Sequence, residues 1–179
     1  MRRVVVTGIG TINSTGHNVK DSFEAVVNGV CGIDTITLFD ASEFSVKIAG
    51  EVKDFDPTTV MDKKEVKKAD RFIQLGIKAA LEAMIDSGYV TQEDKKVDAS
   101  IADRFGMISG SGIGGLSTIE RNSVVCETKG SRKVSPFFIP SSLANMLSGF
   151  ISIEHNLRGP SLSHVTACAA STHALNDAV

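Results

Sequence analysis

A chain of 179 residues can bury a substantial core, and one domain is the default at that length. Its 42% hydrophobic and 22% charged residues are ordinary for a soluble globular protein, and a net charge of -2 gives no general reason to expect nucleic acid or a membrane surface. No apolar run reaches the ~18 residues needed to span a bilayer. The apolar part of Met1–Val6 is too short for a signal peptide. Cys31, Cys126 and Cys168 lie far apart without a CxxC pattern, which argues against a disulfide framework and for a reducing cytoplasm.

Val4-Val5-Val6-Thr7 reads as a buried strand that ends in the turn Gly8-Ile9-Gly10; the third glycine of a dinucleotide fingerprint falls on Asn13. Asn18 or Asp21 can open a helix with Phe23, Val26 and Val27 on one face, closed by Gly29. Residues 31 to 57 show no clear period and predict loops and short strands. Lys63 to Ser87 has the clearest amphipathic pattern, with Phe72, Leu75, Gly76, Ala79, Ala80, Ala83 and Met84 at helical spacing and Gly88 as the stop. Lys64, Lys67 and Lys68 share one side of its first turns, and by itself such a run is a solvated face.

Tyr89 to Arg104 reads as a polar loop or short helix, and Phe105 to Ser109 as a strand. Gly110, Gly112 and Gly115 then satisfy G-x-G-x-x-G, which raises a nucleotide-binding oxidoreductase as an alternative. Glu127 stands near the distance of the ribose-binding acid but is not preceded by a parallel strand. The glycines are better explained as a turn that lets backbone pass close to a neighbour. Ser135-Pro136-Phe137-Phe138-Ile139-Pro140 should be extended by its prolines. Pro140 should start a helix whose apolar face is Leu143, Met146, Leu147, Phe150 and Ile151.

After the break at Asn156–Pro160, Ser161 to Ala167 suits a strand, and the small residues from Cys168 onward suit a closely packed helix. Cys168 therefore stands at a strand-to-helix corner, where free N–H groups and the helix dipole favour a thiolate and could hold an oxyanion. The ordinary reading of a lone cysteine is a small core hydrophobe. His173, five residues on, lies about 140° around the helix from Cys168 and reads as a packing residue. His17, His155 and His164 offer no evident dyad, and His164, Cys168 and His173 have no metal spacing.

Gly159-Pro160-Ser161, Thr166-Ala167-Cys168, Ser171 and His173 resemble the nucleophile segment of the β-ketoacyl-acyl carrier protein synthases, nearest their type II members. The same family carries the string Gly110-Ser111-Gly112-Ile113-Gly114-Gly115 at this place. The resemblance implies an α/β, thiolase-like layered αβαβα fold built from two similar halves. Residues 1–179 would be an N-terminal ketoacyl synthase domain, incomplete at its C-terminal end. The implied enzyme is an acyltransferase of fatty acid biosynthesis that condenses malonyl carrier protein, with loss of carbon dioxide, onto an acyl thioester of Cys168 to give the 3-oxoacyl carrier protein. It implies Ile113 and Phe138 in acyl pockets, Phe138 in that of the partner subunit, and Lys64, Lys67 and Lys68 in carrier docking.

A homodimer joined through the strand at Ser161 to Ala167 is also implied, with acyl- and malonyl-loaded acyl carrier protein as partner and with no cofactor, metal, nucleic acid or membrane. The family's catalytic histidines and structural lysine belong to a C-terminal half outside residues 1–179, so these residues are expected to be inactive alone. A fragment that only dimerises or binds carrier protein is a further alternative. Ala169-Ala170-Ser171-Thr172 replaces the Thr-Ser-Gly common in type II enzymes, and the Tyr89–Arg104 loop is longer than usual. The presence of Cys168 argues against the non-catalytic chain-length factors.

Overall fold

The computed structural model describes residues 3–179. In chain order it contains helix α1 (Val19–Val27), strands β1 (Asp34–Thr35) and β2 (Ile48–Ala49), helices α2 (Lys63–Val66) and α3 (Arg71–Asp86), strand β3 (Met107–Gly110), helices α4 (Leu116–Lys129), α5 (Phe138–Ser142) and α6 (Met146–His155), strand β4 (Ser161–His164) and helix α7 (Ala170–Ala178). Among the described residues no helix is long and apolar enough to cross a membrane.

The core forms on α3. Ile73, Ile77 and Leu81 recur at four-residue spacing and are at most 3% exposed. Val60, Met61, Val90, Val97 and Ile151 close around them. Full burial of such side chains contributes roughly 1.5–3 kcal/mol each. The Lys63–Ser87 pattern is two helices rather than one. The chain breaks at Lys67–Asp70, because the Asp70 side chain accepts the Phe72 N–H and starts α3 afresh.

Strands β1 and β2 make a small antiparallel pair, as expected of residues 31 to 57. Strands β3 and β4 pair in parallel, Met107 to Gly110 against Ser161 to His164. Alternation along β3 gives it two working faces. Ser109 turns toward α6, bonding Ser148 Oγ at 2.7 Å, and Gly110 turns toward α7. The result is a layered α/β arrangement in which the β3–β4 pair lies between α6 and α7, with α3 packed beyond α6. The Tyr89–Arg104 loop is pinned to α6. Val97 N–H donates to His155 O, and Asn156 Nδ2, on a left-handed residue that ends α6, donates to Val97 O.

Several expectations are corrected. Val4, Val5 and Val6 are 52–80% exposed and form no strand. No neighbouring strand among the described residues covers them; instead the segment runs along α3, with Ile9 N–H on Asp86 and Thr11 N–H on Glu82. In α1 the apolar side chains Phe23, Val26 and Val27 are exposed, because the helix rests on the chain through Ser22, its one buried residue. Pro136 and Phe137 are a turn leading into α5 rather than extended chain. Helix α5 starts at Phe138, before Pro140, and a break at Leu143–Asn145 separates it from α6. Strand β4 stops at His164, short of Ala167.

Candidate active site

The corner after β4 is tight. Val165 and Thr166 leave the sheet, and Ala167 takes a left-handed conformation with φ 50°. Ala167–Ala169 then form a single 3-10 turn that continues into α7. Ala169 N–H donates the first hydrogen bond of this turn, to Thr166 O at 3.1 Å, and the Cys168 N–H lies one residue ahead of it. Helix α7 is seated by Ala170 and Ala174, one turn apart and both buried. It approaches β3 so closely that a Cβ on Gly110 would lie 2.5 Å from Ala170 O and Ser171 N. Cys168 itself is exposed and free, which overturns the ordinary reading of a core cysteine.

His173 is not a packing residue. It is exposed, and its Nδ1 shares a 2.8 Å hydrogen bond with Thr166 Oγ1 across the corner. Its ring meets that of His164 edge-on at 6.0 Å, and His164 Nε2 lies 2.9 Å from Asp177 Oδ2 without the alignment of a hydrogen bond. Among the described residues neither imidazole hydrogen-bonds the Cys168 sulfur. Thr166 stands out in the sequence only within the string Thr166-Ala167-Cys168, and Asp177 carries no signal beyond a carboxylate four residues after His173.

The glycine loop between β3 and α4 lies against the same corner. A Cβ on Gly112 would stand 3.6 Å from Ala167 Cα, while Gly114 and Gly115 press on the backbone of Ser141, Ser142 and Ala144. Ile113, 64% exposed, therefore stands between the Cys168 corner and α5, which begins with the half-buried Phe138. The cavities of about 630 Å³ and about 780 Å³ lie elsewhere, the first lined by Val19, Leu81 and Ile85, the second by Phe39, Lys67 and Arg121.

The oxidoreductase alternative fails at the start of α4. Asp70 Oδ2 accepts the Thr118 N–H at 2.9 Å, so a buried carboxylate occupies the place a pyrophosphate would need. Glu127 lies within α4 and not at the end of a strand.

Lys64 and Lys67 are exposed where α2 ends. Lys68 is half-buried, pairs with Glu65 and sits 5.7 Å from the Phe137 ring centre; its carbonyl accepts the Ser141 hydroxyl. The lysine run is therefore joined to α5.

A family model described as "Beta-ketoacyl synthase, N-terminal domain" matches residues 1–179. A 3-oxoacyl-[acyl-carrier-protein] synthase 2 of Coxiella burnetii is 44% identical over 177 residues, 99% of this chain and 41% of the relative. The chain spans about two fifths of the length of the curated relatives it matches. A β-ketoacyl synthase from Burkholderia phymatum superposes with a TM-score of 0.81 at 21% identity, over 99% of this chain and 43% of that one. A type II polyketide ketosynthase, solved with its acyl-carrier protein, gives 0.77 at 23% identity, over 99% and 46%. The fold is thus the thiolase-like one of the ketosynthases. With the match unbroken along its length, the chain belongs to the β-ketoacyl synthase family, within its N-terminal domain.

Proposed function

We propose that this chain carries the acyl-accepting cysteine of a 3-oxoacyl-carrier-protein synthase of fatty acid biosynthesis. The supporting observation is the exposed, free Cys168 at the head of α7, behind a left-handed residue. In the first stage its thiolate attacks the thioester carbonyl of an acyl carrier protein. The carrier thiolate leaves, and the acyl group remains as a thioester on Cys168. The Cys168 N–H, ahead of the first bond of the turn, is placed as one donor to the oxyanion. In the second stage malonyl carrier protein loses carbon dioxide and its carbanion attacks the Cys168 thioester. The thiolate is released together with the 3-oxoacyl carrier protein. The histidines that assist decarboxylation fall outside residues 1–179 in this reading.

Ile113 and Phe138 line acyl pockets, Phe138 that of a second subunit; their support is the loop that joins the Cys168 corner to α5. Lys64 and Lys67, with Lys68 braced behind them, receive the acidic carrier. Among the described residues strand β4 pairs with β3 on one side only, leaving an edge for a second copy across a two-fold axis. Three free cysteines accord with a reducing cytoplasm.

The test is labelling with limiting iodoacetamide followed by peptide mapping. Cys168 is expected to react first. Equal rates at Cys31 or Cys126, which are also exposed, would sink the reading.

A further inference from the structure

We infer that His173 is a positioning residue, whose hydrogen bond to Thr166 holds the strained corner at Ala167 and so fixes Cys168 at the head of α7. The inference rests on the reading of Cys168 as the acyl acceptor and adds what keeps it in place. Left-handed backbone is unfavourable for residues with a Cβ unless the surroundings impose it. Among the described residues only Asp54, Asn156 and Ala167 adopt it without being glycine. Asp and Asn tolerate the conformation through their own short polar side chains, and Asn156 is further tied to Val97 O. Alanine has no such device, so Ala167 must be held from outside.

Two local features bear on it: the turn bond from Ala169 N–H to Thr166 O and the backbone of Gly112 alongside. Neither fixes the direction in which α7 leaves. Ala170 and Ala174 seat α7 on β3, and the Thr166–His173 bond adds a side-chain tie from the last residue before the corner to the first turn of the seated helix. A second strand-to-helix approach, His164 on β4 to Asp177 on α7, backs the His173 ring from behind. Released from this brace, Ala167 relaxes toward ordinary φ values and carries Cys168 off the helix axis and away from the N–H groups gathered there.

The experiment compares iodoacetamide rates at the three cysteines of one chain, with Cys31 and Cys126 as internal references. His173→Ala should slow Cys168 about tenfold, the order expected for release of one strained residue, and leave both references and the melting temperature unmoved. His173→Asn, which keeps a polar atom near the Nδ1 position, should restore most of the rate. In an Ala167→Gly background, where left-handed φ is free of strain, the dependence on His173 should disappear. Should His173→Ala fail to fold, Thr166→Val removes the same bond from the strand side. An unchanged Cys168 rate, a fall shared by all three cysteines, or an undiminished His173 effect in the Ala167→Gly background would overturn the brace. Uniform reactivity in the unsubstituted chain instead overturns the acyl-acceptor reading, and the brace with it, before any variant is made.

Discussion

Asp70 and Thr118 join two helices through one carboxylate. Oδ2 accepts the Thr118 N–H of α4 at 2.9 Å, while Oδ1 reaches the Phe72 N–H of α3 at 3.4 Å. The glycine loop before α4 comes equally close, with a Cβ on Gly115 only 3.1 Å from Oδ2. The loop that frames the cysteine corner is therefore anchored to the core helix through a single side chain.

Asp70→Ala removes both caps and should lower stability by about 2 kcal/mol, the upper end for a helix cap. Asp70→Asn, which retains an acceptor, should cost less. Urea unfolding followed by circular dichroism measures both, and equal losses would contradict the capping account. NADH titrated by fluorescence should give no saturable signal with the unsubstituted chain, since phosphate would have to displace Asp70.

Gly110→Ala should be costly for a surface-distant reason. The added methyl would lie 2.5 Å from Ala170 O and Ser171 N, so α7 must move off β3. Overpacking of this kind costs about 1–3 kcal/mol, and Cys168 alkylation should slow with it. A variant of unaltered stability and Cys168 rate would show that α7 is not seated there.

Glu51 gives the chain an acid sensitivity with a defined sign. Its carboxylate accepts the Thr37 hydroxyl, the Thr37 N–H and the Leu38 N–H at 2.7–3.1 Å. The hydroxyl first, and then the Thr37 N–H, hold it below the usual glutamate value. A folded value below the unfolded one adds stability above the ordinary glutamate value of ~4.3, and that stability fades as pH falls through the folded value. Glu51→Gln should therefore be less stable at pH 7 and converge with the parent on acidification. Denaturation midpoints measured across that range check this; a gap of constant size would contradict it.

Reversing charge at Lys64 and Lys67 together should weaken binding of an acidic carrier protein about tenfold at low salt, with the difference shrinking as salt rises. Reversal at Lys68 alone should weaken binding less, since that ammonium already faces Glu65 and Phe137, and should cost some stability through the lost contacts. Isothermal titration at two salt concentrations separates the cases. Equal effects from all three positions would argue against a patch centred on Lys64 and Lys67.

The corner at Cys168 is legible in sequence because its signals are local: a Gly-Pro turn, four strand residues, then small residues at helical spacing. The existence of α3 is legible for the same reason, but its face is not: Phe72, Leu75, Gly76, Ala79, Ala80, Ala83 and Met84, the positions the periodicity picks out, are only half-buried, and the buried stripe is Ile73, Ile77 and Leu81. Hydrophobicity marks Val4–Val6 and Phe23, Val26 and Val27 as wanting cover, but it cannot say what supplies that cover, and they stand exposed. Helical periodicity runs through Lys67–Asp70 and Leu143–Asn145 without registering the breaks, since a cap such as Asp70 differs little in pattern from a polar helix residue. The angle from Cys168 to His173 assigns His173 to packing, and the side chain stands exposed. The angle says nothing of Thr166, which only the left-handed turn at Ala167 carries back over α7.

The hydroxyls of Ser109, Ser148 and Ser163 lie 2.7–3.0 Å from one another, and Ser148 also donates to Leu162 O. Ser109 and Ser163 are direct partners across β3 and β4. An oily interface at this point would tolerate sliding, since one methyl replaces another at little loss. A ring of oxygens does not: a slip of one position swings a hydroxyl to the opposite face and strands its neighbours in a dry interior. The trio works like a keyway, letting the two strands seat in one alignment, and that alignment sets how far down the chain the sulfur emerges.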